Sequence, residues 1–341
     1  MKSLRLLALP LAVVMASCAA ANPSAADRPL KVLAIGNSFS ICVLKHLPKA
    51  AEAAGKKLEI VSLYIGGCSL QRHAENIEKA ATQPDYAPYR ATWSYPGVAP
   101  EDVPALKACT KAPDKNEQRS NIPQMLKADR WDIVTIQQAS PSSWNPDTYS
   151  PYAEKLIDTI RALAPQAEIV VQQTWSYCNA DGRIFNAAKG AAPGSWGFGQ
   201  KEMYDRLAAA YAALAAKHRL RTIPTGRAIQ LYREKLPVTF VPPTPEERAA
   251  LVRPAVPALD DVVGSYWWTN GNKEKNEAPA LKSDSIHLNG WGEYLQACTW
   301  LAFLFDCDVA DLPYTPDFAK KDPRRAETIR RCAQEAVRAT P

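Results

Sequence analysis

The 341-residue sequence lacks the short motifs of several common catalytic sites. It contains neither C-x-x-C nor H-E-x-x-H, so its 8 cysteines and 4 histidines match no zinc template. It also contains no G-x-S-x-G nucleophile elbow and no Walker A loop, and "GFGQKE" (197–202) lacks the third glycine of a dinucleotide-binding loop. We therefore expect neither a metal site nor a cofactor.

Blocks of basic residues are missing as well. The formal net charge of +6 is spread along the chain, so the sequence predicts no nucleic-acid partner. Beyond the N-terminal apolar stretch, no run of residues is long and apolar enough to span a bilayer. With 47% hydrophobic and 22% charged residues, the composition is typical of a globular protein and not of a disordered one.

The N-terminus has the features of an export signal. Basic "MKSLR" precedes the apolar "LLALPLAVVMA" and then small residues, which predicts a secretory signal peptide over residues 1–21. "MASC", which ends at Cys18, resembles a bacterial lipobox, and ordinary cleavage after Ala21 or Ala26 is the alternative. We expect an exported protein, either periplasmic or anchored to the outer membrane through lipidated Cys18, with a linker over residues 22–29.

Cysteines in an exported chain can form disulfides. If Cys18 carries lipid, an odd number of cysteines remains, so at least one of them is unpaired within the chain. Cys42 and Cys68 lie close in sequence to the candidate site described below. We interpret both as structural residues that are able to pair with each other.

Apolar strand patterns alternate with helical patterns along most of the chain. The predicted strands are "LKVLAI", "KLEIVSLYI", "WDIVTIQQ", "AEIVVQQT" and "LRTIPTG". This alternation predicts an α/β fold, a three-layer α/β/α sandwich around a mostly parallel five-stranded sheet. We expect one domain over residues 30–341, with long insertions at about 84–120, 176–199 and 237–283.

Small or polar residues, and one tryptophan, follow directly after the first four predicted strands. In parallel sheets, ligands bind beyond the carboxyl ends of the strands. The coincidence therefore predicts a site at this edge of the sheet. The residues concerned are Ser38, Gly66, Gly67, Gln137, Gln138 and Trp175.

Three residues match the chemistry of a serine nucleophile. Ser38 ends the first strand, and Asp284 and His287 stand three apart before a strongly apolar helix, where a short turn places both side chains on one side. His287 would then take the proton of Ser38 while Asp284 holds the imidazole. The alternative is structural: Ser38 caps one helix, Asp284 or Ser283 caps the other, and His287 is a partly buried packing residue.

These segments resemble the blocks of the SGNH/GDSL-type serine hydrolases, and most closely a bacterial branch known only as a domain of unknown function. "IGNSFS" resembles the first block, with Asn37 where the usual Asp stands. "IGGC" resembles the second, and "DSIHLNGWGEYLQA" the fifth, which carries Asp and His three residues apart. The resemblance spans roughly residues 30 to 306, and it implies a flavodoxin-like fold.

The resemblance also implies how the site works. Ser38, His287 and Asp284 would form the catalytic triad, and the backbone N–H groups of Ser38 and Gly67 would hold the oxyanion. The third block departs from the pattern, because "IQQAS" replaces the usual Gly-x-Asn-Asp. We expect Gln138, or else Gln137, to supply the missing amide donor.

Substrate contacts are predicted from position and from aromatic content. At the strand ends, Asn37, Gln137 and Trp175 are expected to contact substrate, together with Trp267 in an insertion rich in aromatic residues. Such rings can stack on sugars, or they can pin long loops to the core. We expect an exported esterase that removes small acyl groups, above all O-acetyl, from carbohydrate. The alternatives are a lipid-type esterase and a non-catalytic glycan-binding lipoprotein.

Overall fold

The structure, a computed structural model, describes residues 28–83, 85–112, 117–179, 181–184, 194–236, 243–271 and 277–340. The predicted signal peptide, Cys18 and all but the last two residues of the predicted linker lie outside the described residues, so export and lipidation stay predictions. In the part of the chain that is described, no helix has both the length and the apolar character needed to cross a membrane.

The strands belong to a large mixed sheet and a separate hairpin. In chain order they are β1 (Leu30–Gly36), β2 (Leu58–Tyr64), β3 (Tyr89–Ser94), β4 (Thr110–Lys111), β5 (Gln118–Ser120), β6 (Ile133–Ile136), β7 (Glu168–Gln172), β8 (Arg221–Ile223), β9 (Val263–Trp268) and β10 (Leu281–Leu288). Among the described residues, the first eight form one sheet in the order β4-β5-β3-β2-β1-β6-β7-β8, and β9 pairs with β10.

The parallel part of the sheet agrees with the sequence prediction. Strands β2, β1, β6, β7 and β8 are neighbours in this order and run parallel, and each falls within a predicted strand. β1 and β6, at the centre, are almost continuously buried, which explains their uninterrupted apolar sequences.

The predicted count of five strands is wrong. β3, β5 and β4 extend the sheet by antiparallel pairing beyond β2. They lie inside the segment 84–120, which the sequence predicts as an insertion. Their physical difference from the central strands is burial, because β3 alternates buried and half-buried residues at its start and β4 is exposed. Such strands lack the continuous apolar run that marks a strand in a parallel sheet.

The helices pack in two groups. The helices are α1 (Ser38–Ile41), α2 (Leu47–Ala53), α3 (Leu70–Thr82), α4 (Ile122–Ala128), α5 (Tyr152–Leu163), α6 (Gln200–His218), α7 (Thr225–Lys235), α8 (Pro245–Ala250), α9 (Gly290–Phe305) and α10 (Pro323–Arg338). Helices α3, α4 and α5 contact one another, and α2, α7 and α10 all contact α9. Helix α9 is buried along most of its length, so its apolar sequence marks a core helix.

The first turn of α9 packs directly against the hairpin. Asn289 caps the helix by accepting hydrogen bonds from the N–H groups of Trp291 and Gly292. A Cβ atom at Gly292 would lie 2.2 Å from the carbonyl oxygen of Val262 and 2.8 Å from a methyl carbon of Leu288. Glycine at this position therefore allows α9 to sit against the strand that carries His287.

We predict that Gly292→Ala destabilises the protein by about 1–3 kcal/mol, because the added methyl group overpacks a backbone contact that cannot move freely. The matched control is Gly182→Ala, since a Cβ at Gly182 meets nothing within 4 Å. Urea unfolding of both variants measures the difference. Equal unfolding free energies for the two would contradict the close approach.

Candidate active site

The loop after β1 presents Ser38 as the first residue of α1. Asn37 caps this short helix by accepting a 3.0 Å hydrogen bond from the N–H of Phe39. A Cβ at Gly36 would lie 2.6 Å from the Cβ of Ser40 and 3.2 Å from the Cδ of Gln137. Glycine is therefore required at position 36, where the strand turns into the helix.

Asn37 also connects the ends of three strands. Its Nδ2 donates to the carbonyl of Cys68, in the loop after β2, at 3.0 Å. Its Oδ1 accepts from Nε2 of Gln137, directly after β6, at 2.7 Å. The side chain is 2% exposed. Asn37 thus fixes the nucleophile turn relative to both neighbouring loops.

Asp284 and His287 lie on β10, where the strand is irregular. In a regular strand, residues three apart face opposite sides of the sheet. Asp284 pairs with Ser265 and Leu288 with Val263, so the three residues 285–287 of β10 lie opposite the single residue Gly264 of β9. This bulge brings both side chains to one side, as the prediction of a short turn required.

The three predicted catalytic side chains form one hydrogen-bonded chain. Nε2 of His287 lies 2.8 Å from Oγ of Ser38, and Nδ1 of His287 lies 2.6 Å from Oδ2 of Asp284. The other carboxylate oxygen of Asp284 accepts from the backbone N–H groups of Ile286 at 2.7 Å and His287 at 2.8 Å. The structure therefore brings Ser38, His287 and Asp284 together in the order that nucleophilic catalysis requires.

The carboxyl group of Asp284 stays ionised in this environment. Burial by itself raises the pKa of Asp284, but the hydrogen bonds from the His287 ring and from two backbone N–H groups outweigh it and lower the pKa to about 2. The Asp284 side chain is only 25% exposed, whereas that of His287 is 41% exposed. A negative charge therefore faces Nδ1 and leaves Nε2 directed to Ser38.

Two buried aromatic rings support this arrangement from below. Phe39 contacts the imidazole of His287 edge-on, with ring centres 5.6 Å apart, and stacks on Trp175 at 4.0 Å. The indole N–H of Trp175 donates to the carbonyl of Ile286 at 2.9 Å. Trp175 is fully buried. It therefore positions the strand of His287 and is not exposed for the substrate contact predicted from sequence.

Two backbone N–H groups are available near the nucleophile turn. Neither Ser38 nor Gly67 donates its N–H to an acceptor among the described residues. Gly67 is exposed and has a φ of +60°, a conformation that favours glycine. Asn37 connects the two loops through Cys68, the residue after Gly67.

The side chain of Gln138 is fully occupied by structural hydrogen bonds. Its Nε2 donates to the carbonyl of Thr148 at 2.9 Å and to the hydroxyl at 3.2 Å. Its Oε1 accepts from the N–H groups of Leu70 and Ala139. The structure therefore does not bring a free amide of Gln138 to Ser38. The alternative donor, Gln137, is 1% exposed and bonded to Asn37.

The aromatic side chains of the predicted insertions are mostly buried or half-buried. Tyr89 and Tyr95 are buried, and Tyr86 donates its hydroxyl to Oδ1 of Asn76 at 2.7 Å. The indole of Trp268 donates to the carbonyl of Ala255. Most of these rings therefore hold loops in place. Trp267, also predicted to contact substrate, is 45% exposed on β9.

A cavity of about 530 Å³ opens beside the nucleophile. Most of its wall was not predicted from sequence, because the residues come from helices, from the antiparallel strand β3 and from the hairpin. Its lining residues are Ser38, Ile41, Cys42, Leu44, Lys45, Arg90, Thr92, His287, Leu288 and Glu293.

Cys42 and Cys68 are separate thiols and do not pair with each other. Cys42 donates to Oε1 of Gln296 at 2.9 Å, and burial raises its pKa to about 12. Burial likewise raises the pKa of Cys68 to about 12. Neither thiol is therefore an activated nucleophile. Within the described ranges, no cluster of His, Cys, Asp or Glu is arranged to hold a metal ion.

A sequence model of the family "Domain of unknown function (DUF4886)" matches residues 31–234. The chain belongs to the DUF4886 family. A crystal structure of a DUF4886 family protein from Bacteroides uniformis is 25% identical, with a TM-score of 0.64, and the match covers 92% of this chain and 96% of that one. No curated protein matches the chain in sequence.

More distant likenesses extend beyond DUF4886. A member of the lipolytic protein G-D-S-L family from Veillonella parvula is 10% identical, with a TM-score of 0.37, over 80% of this chain and 96% of that one. Phospholipase A1 from Streptomyces albidoflavus is 12% identical, with a TM-score of 0.36, over 78% and 95%. Within this chain, the segment matched by DUF4886 contains Ser38 but ends before Asp284 and His287.

We predict that Asn37→Asp lowers the free energy of unfolding at pH 7 by about 1–3 kcal/mol, because a carboxylate cannot donate to the buried carbonyl of Cys68. Asn145→Asp is the control, since Asn145 also caps a helical turn through its oxygen but makes no such donation. Thermal unfolding compares the two. Equal melting temperatures would contradict a connecting role of Asn37.

His73, beneath the loop of Gly67, gives a second prediction. Burial lowers its pKa to about 3, whereas an unfolded histidine titrates near 6.5. The stabilisation from the neutral ring is complete above about pH 6.5 and declines as the pH falls, by up to about 1.4 kcal/mol per unit. His73→Gln should therefore flatten the dependence of unfolding free energy on pH between 6.5 and 4. Tyr89→Phe, which removes a hydrogen-bond partner but no titrating imidazole, should not flatten it. An unchanged slope in His73→Gln would refute this assignment.

Proposed function

We propose that this DUF4886 protein is a serine hydrolase that cleaves carboxylic esters. The observation that carries the proposal is the continuous hydrogen-bonded chain from Oγ of Ser38 through His287 to Asp284. A structural histidine has no need of both an ionised carboxylate at Nδ1 and a half-buried serine hydroxyl that lines a cavity at Nε2. The cavity beside Ser38 supplies space for an ester.

The reaction would proceed in two steps. Oγ of Ser38 attacks the acyl carbon while Nε2 of His287 takes its proton, and the protonated imidazole then gives that proton to the leaving alcohol. Water then attacks the acyl carbon while His287 takes its proton, and the imidazolium returns that proton to Oγ of Ser38 as the acyl–Oγ bond breaks and the acid leaves. Asp284 stabilises the imidazolium that forms in each step.

The oxyanion would be held by backbone groups. The free N–H groups of Ser38 and Gly67 support this part of the proposal, since each such donor is worth about 2.7–4 kcal/mol to a developing oxyanion. The occupied amide of Gln138 supports a role in holding the loop after β6 to the start of α3. Our proposal for the oxyanion hole therefore keeps the two backbone N–H groups and leaves out Gln138, which the sequence predicts as a further donor.

The nature of the ester is a further part of the proposal. The exposed ring of Trp267, on the strand paired with β10, supports a carbohydrate as the alcohol partner. The aliphatic side chains of Ile41, Leu44 and Leu288 in the cavity support the second candidate, a lipid-type esterase with a longer acyl chain. The acyl-chain preference of the enzyme distinguishes the two.

We predict that the protein hydrolyses 4-nitrophenyl acetate or butyrate, and that Ser38→Ala and Asp284→Asn each reduce kcat by on the order of 10⁴-fold. Ser40→Ala is the matched control, because Ser40 lies two residues away, is fully buried, and its Oγ has no hydrogen-bond partner among the described residues. Initial rates of nitrophenolate release measure the effect.

Two results of these rate measurements would contradict the prediction. A folded wild-type protein that hydrolyses neither these esters nor acetylated sugars would refute the esterase and favour the glycan-binding alternative. Equal losses in Ser38→Ala and Ser40→Ala would show damage to the turn and not loss of a nucleophile.

A further inference from the structure

Arg90 lies in the wall of the same cavity as Ser38. It is the second residue of β3, which runs antiparallel to β2, so the start of β3 meets the carboxyl end of β2. Arg90 pairs in register with Tyr64, the last residue of β2, just before the loop of Gly67. Arg90 and Thr92 are two residues apart, share one face of the strand and both line the cavity.

The guanidinium of Arg90 has no hydrogen-bond partner among the described residues. Its Nε is buried and unsatisfied. Oε1 of Glu117 lies 3.8 Å from Nη1, beyond hydrogen-bond distance, and Oε2 of Glu117 accepts a 2.6 Å hydrogen bond from Arg119, so two guanidinium groups share one carboxylate. A buried donor without a partner is costly. Arg90 is therefore a cation that its long ion pair with Glu117 neutralises only in part.

The ring of Tyr64 holds the guanidinium in place. Cζ of Arg90 lies 4.6 Å from the centre of that ring. Stacking leaves the edge of the guanidinium, with its N–H groups, open for a bidentate contact. The other charged pair of the cavity neutralises itself, because Lys45 donates to Glu293 at 2.5 Å. Because Arg90 and Arg119 share the single carboxylate of Glu117, the excess charge on this wall is positive.

We propose that Arg90 is an anion-binding residue and that the ester cleaved at Ser38 carries an anionic oxygen group, a carboxylate or a phosphate. That the bound anion is part of a substrate rests on the proposed function; that Arg90 binds an anion does not. The guanidinium then selects among esters by the charge of a group that does not react. Neutral esters still reach Ser38, because Arg90 takes no part in the proton transfers.

Two pairs of esters test the charge preference on each arm of the substrate. On the acyl arm, 4-nitrophenyl butyrate is compared with mono-4-nitrophenyl succinate, in which a carboxylate replaces the terminal methyl group. On the alcohol arm, 3-methylphenyl acetate is compared with 3-acetoxybenzoate. We expect Arg90→Gln to lower the ratio of kcat/KM for the charged ester to kcat/KM for the neutral ester by about tenfold in at least one pair. The effect is of this size because the variant loses a charge-assisted hydrogen bond that partial exposure to solvent weakens.

Variants of matched charge separate recognition from general electrostatics and from misfolding. Arg72→Gln removes one positive charge from the neighbouring helix α3 without touching the cavity and should keep the wild-type ratio. Arg90→Lys keeps the charge without the planar fork and should retain part of the preference. Turnover of 4-nitrophenyl butyrate reports that each variant is folded.

A binding measurement keeps this inference distinguishable from the proposed function. Calorimetry with succinate and with inorganic phosphate on Ser38→Ala, with and without Arg90→Gln, needs no turnover and separates the two kinds of anion. Loss of binding with Arg90 supports the site even if no ester is hydrolysed. Unchanged ester ratios together with no Arg90-dependent binding of either anion would overturn it.

Discussion

The site depends most on the hydrogen bonds of one side chain, the amide of Asn37. It accepts from Phe39 and from Gln137, and it donates to the carbonyl of Cys68. The end of β1, the loop after β2 and the end of β6 are therefore held by one buried group. An amide can fill this position because it is donor and acceptor at once, whereas a carboxylate only accepts. These hydrogen bonds of Asn37 also fix the position of Ser38 relative to the backbone N–H of Gly67.

The parallel strands and the closeness of Asp284 to His287 follow from local sequence. Buried strands need long apolar runs, and a strand that ends in a small residue and a hydroxyl is a candidate nucleophile turn, so "AIGNS" is informative by itself. The spacing of Asp284 and His287 predicts that both side chains lie on one side, and the structure reaches that result through a strand bulge. Both arguments concern residues close in sequence, which is why they predict the geometry; the catalytic roles stay a proposal.

The roles of Gln138, Trp175 and Arg90 depend on partners far away in the chain. Gln138 bonds to Thr148 and Leu70, and no spacing rule predicts this. A glutamine that holds two loops together has the same sequence appearance as one that binds an oxyanion. Arg90 lies in a short strand of alternating burial, and its place beside the cavity follows only from the pairing of β3 with β2.

In the insertions rich in aromatic residues, the sequence likewise does not reveal which rings are free to contact a substrate. Aromatic side chains are abundant there, but burial decides whether a ring serves the core or a ligand, and composition does not encode burial. Tyr89 is fully buried and shares a hydrogen bond with His73. The walls of the cavity are instead aliphatic and charged, and none of its lining residues is a Tyr, Trp or Phe.

Asp284 and His287 lie on the hairpin, whereas Ser38 begins the helix that follows β1 of the large sheet. Among the described strands, β9 and β10 pair only with each other, and His287 and Ser38 are 249 positions apart. Closing so long a loop costs chain entropy that packing must offset, and here α9 and the bulged strand provide the packing. The contact between His287 and Ser38 thus depends on the packing of the hairpin and not on a shared sheet. Among the described strands the hairpin and the large sheet share no ladder, so a local opening of the hairpin would break this contact while the large sheet kept its hydrogen bonds.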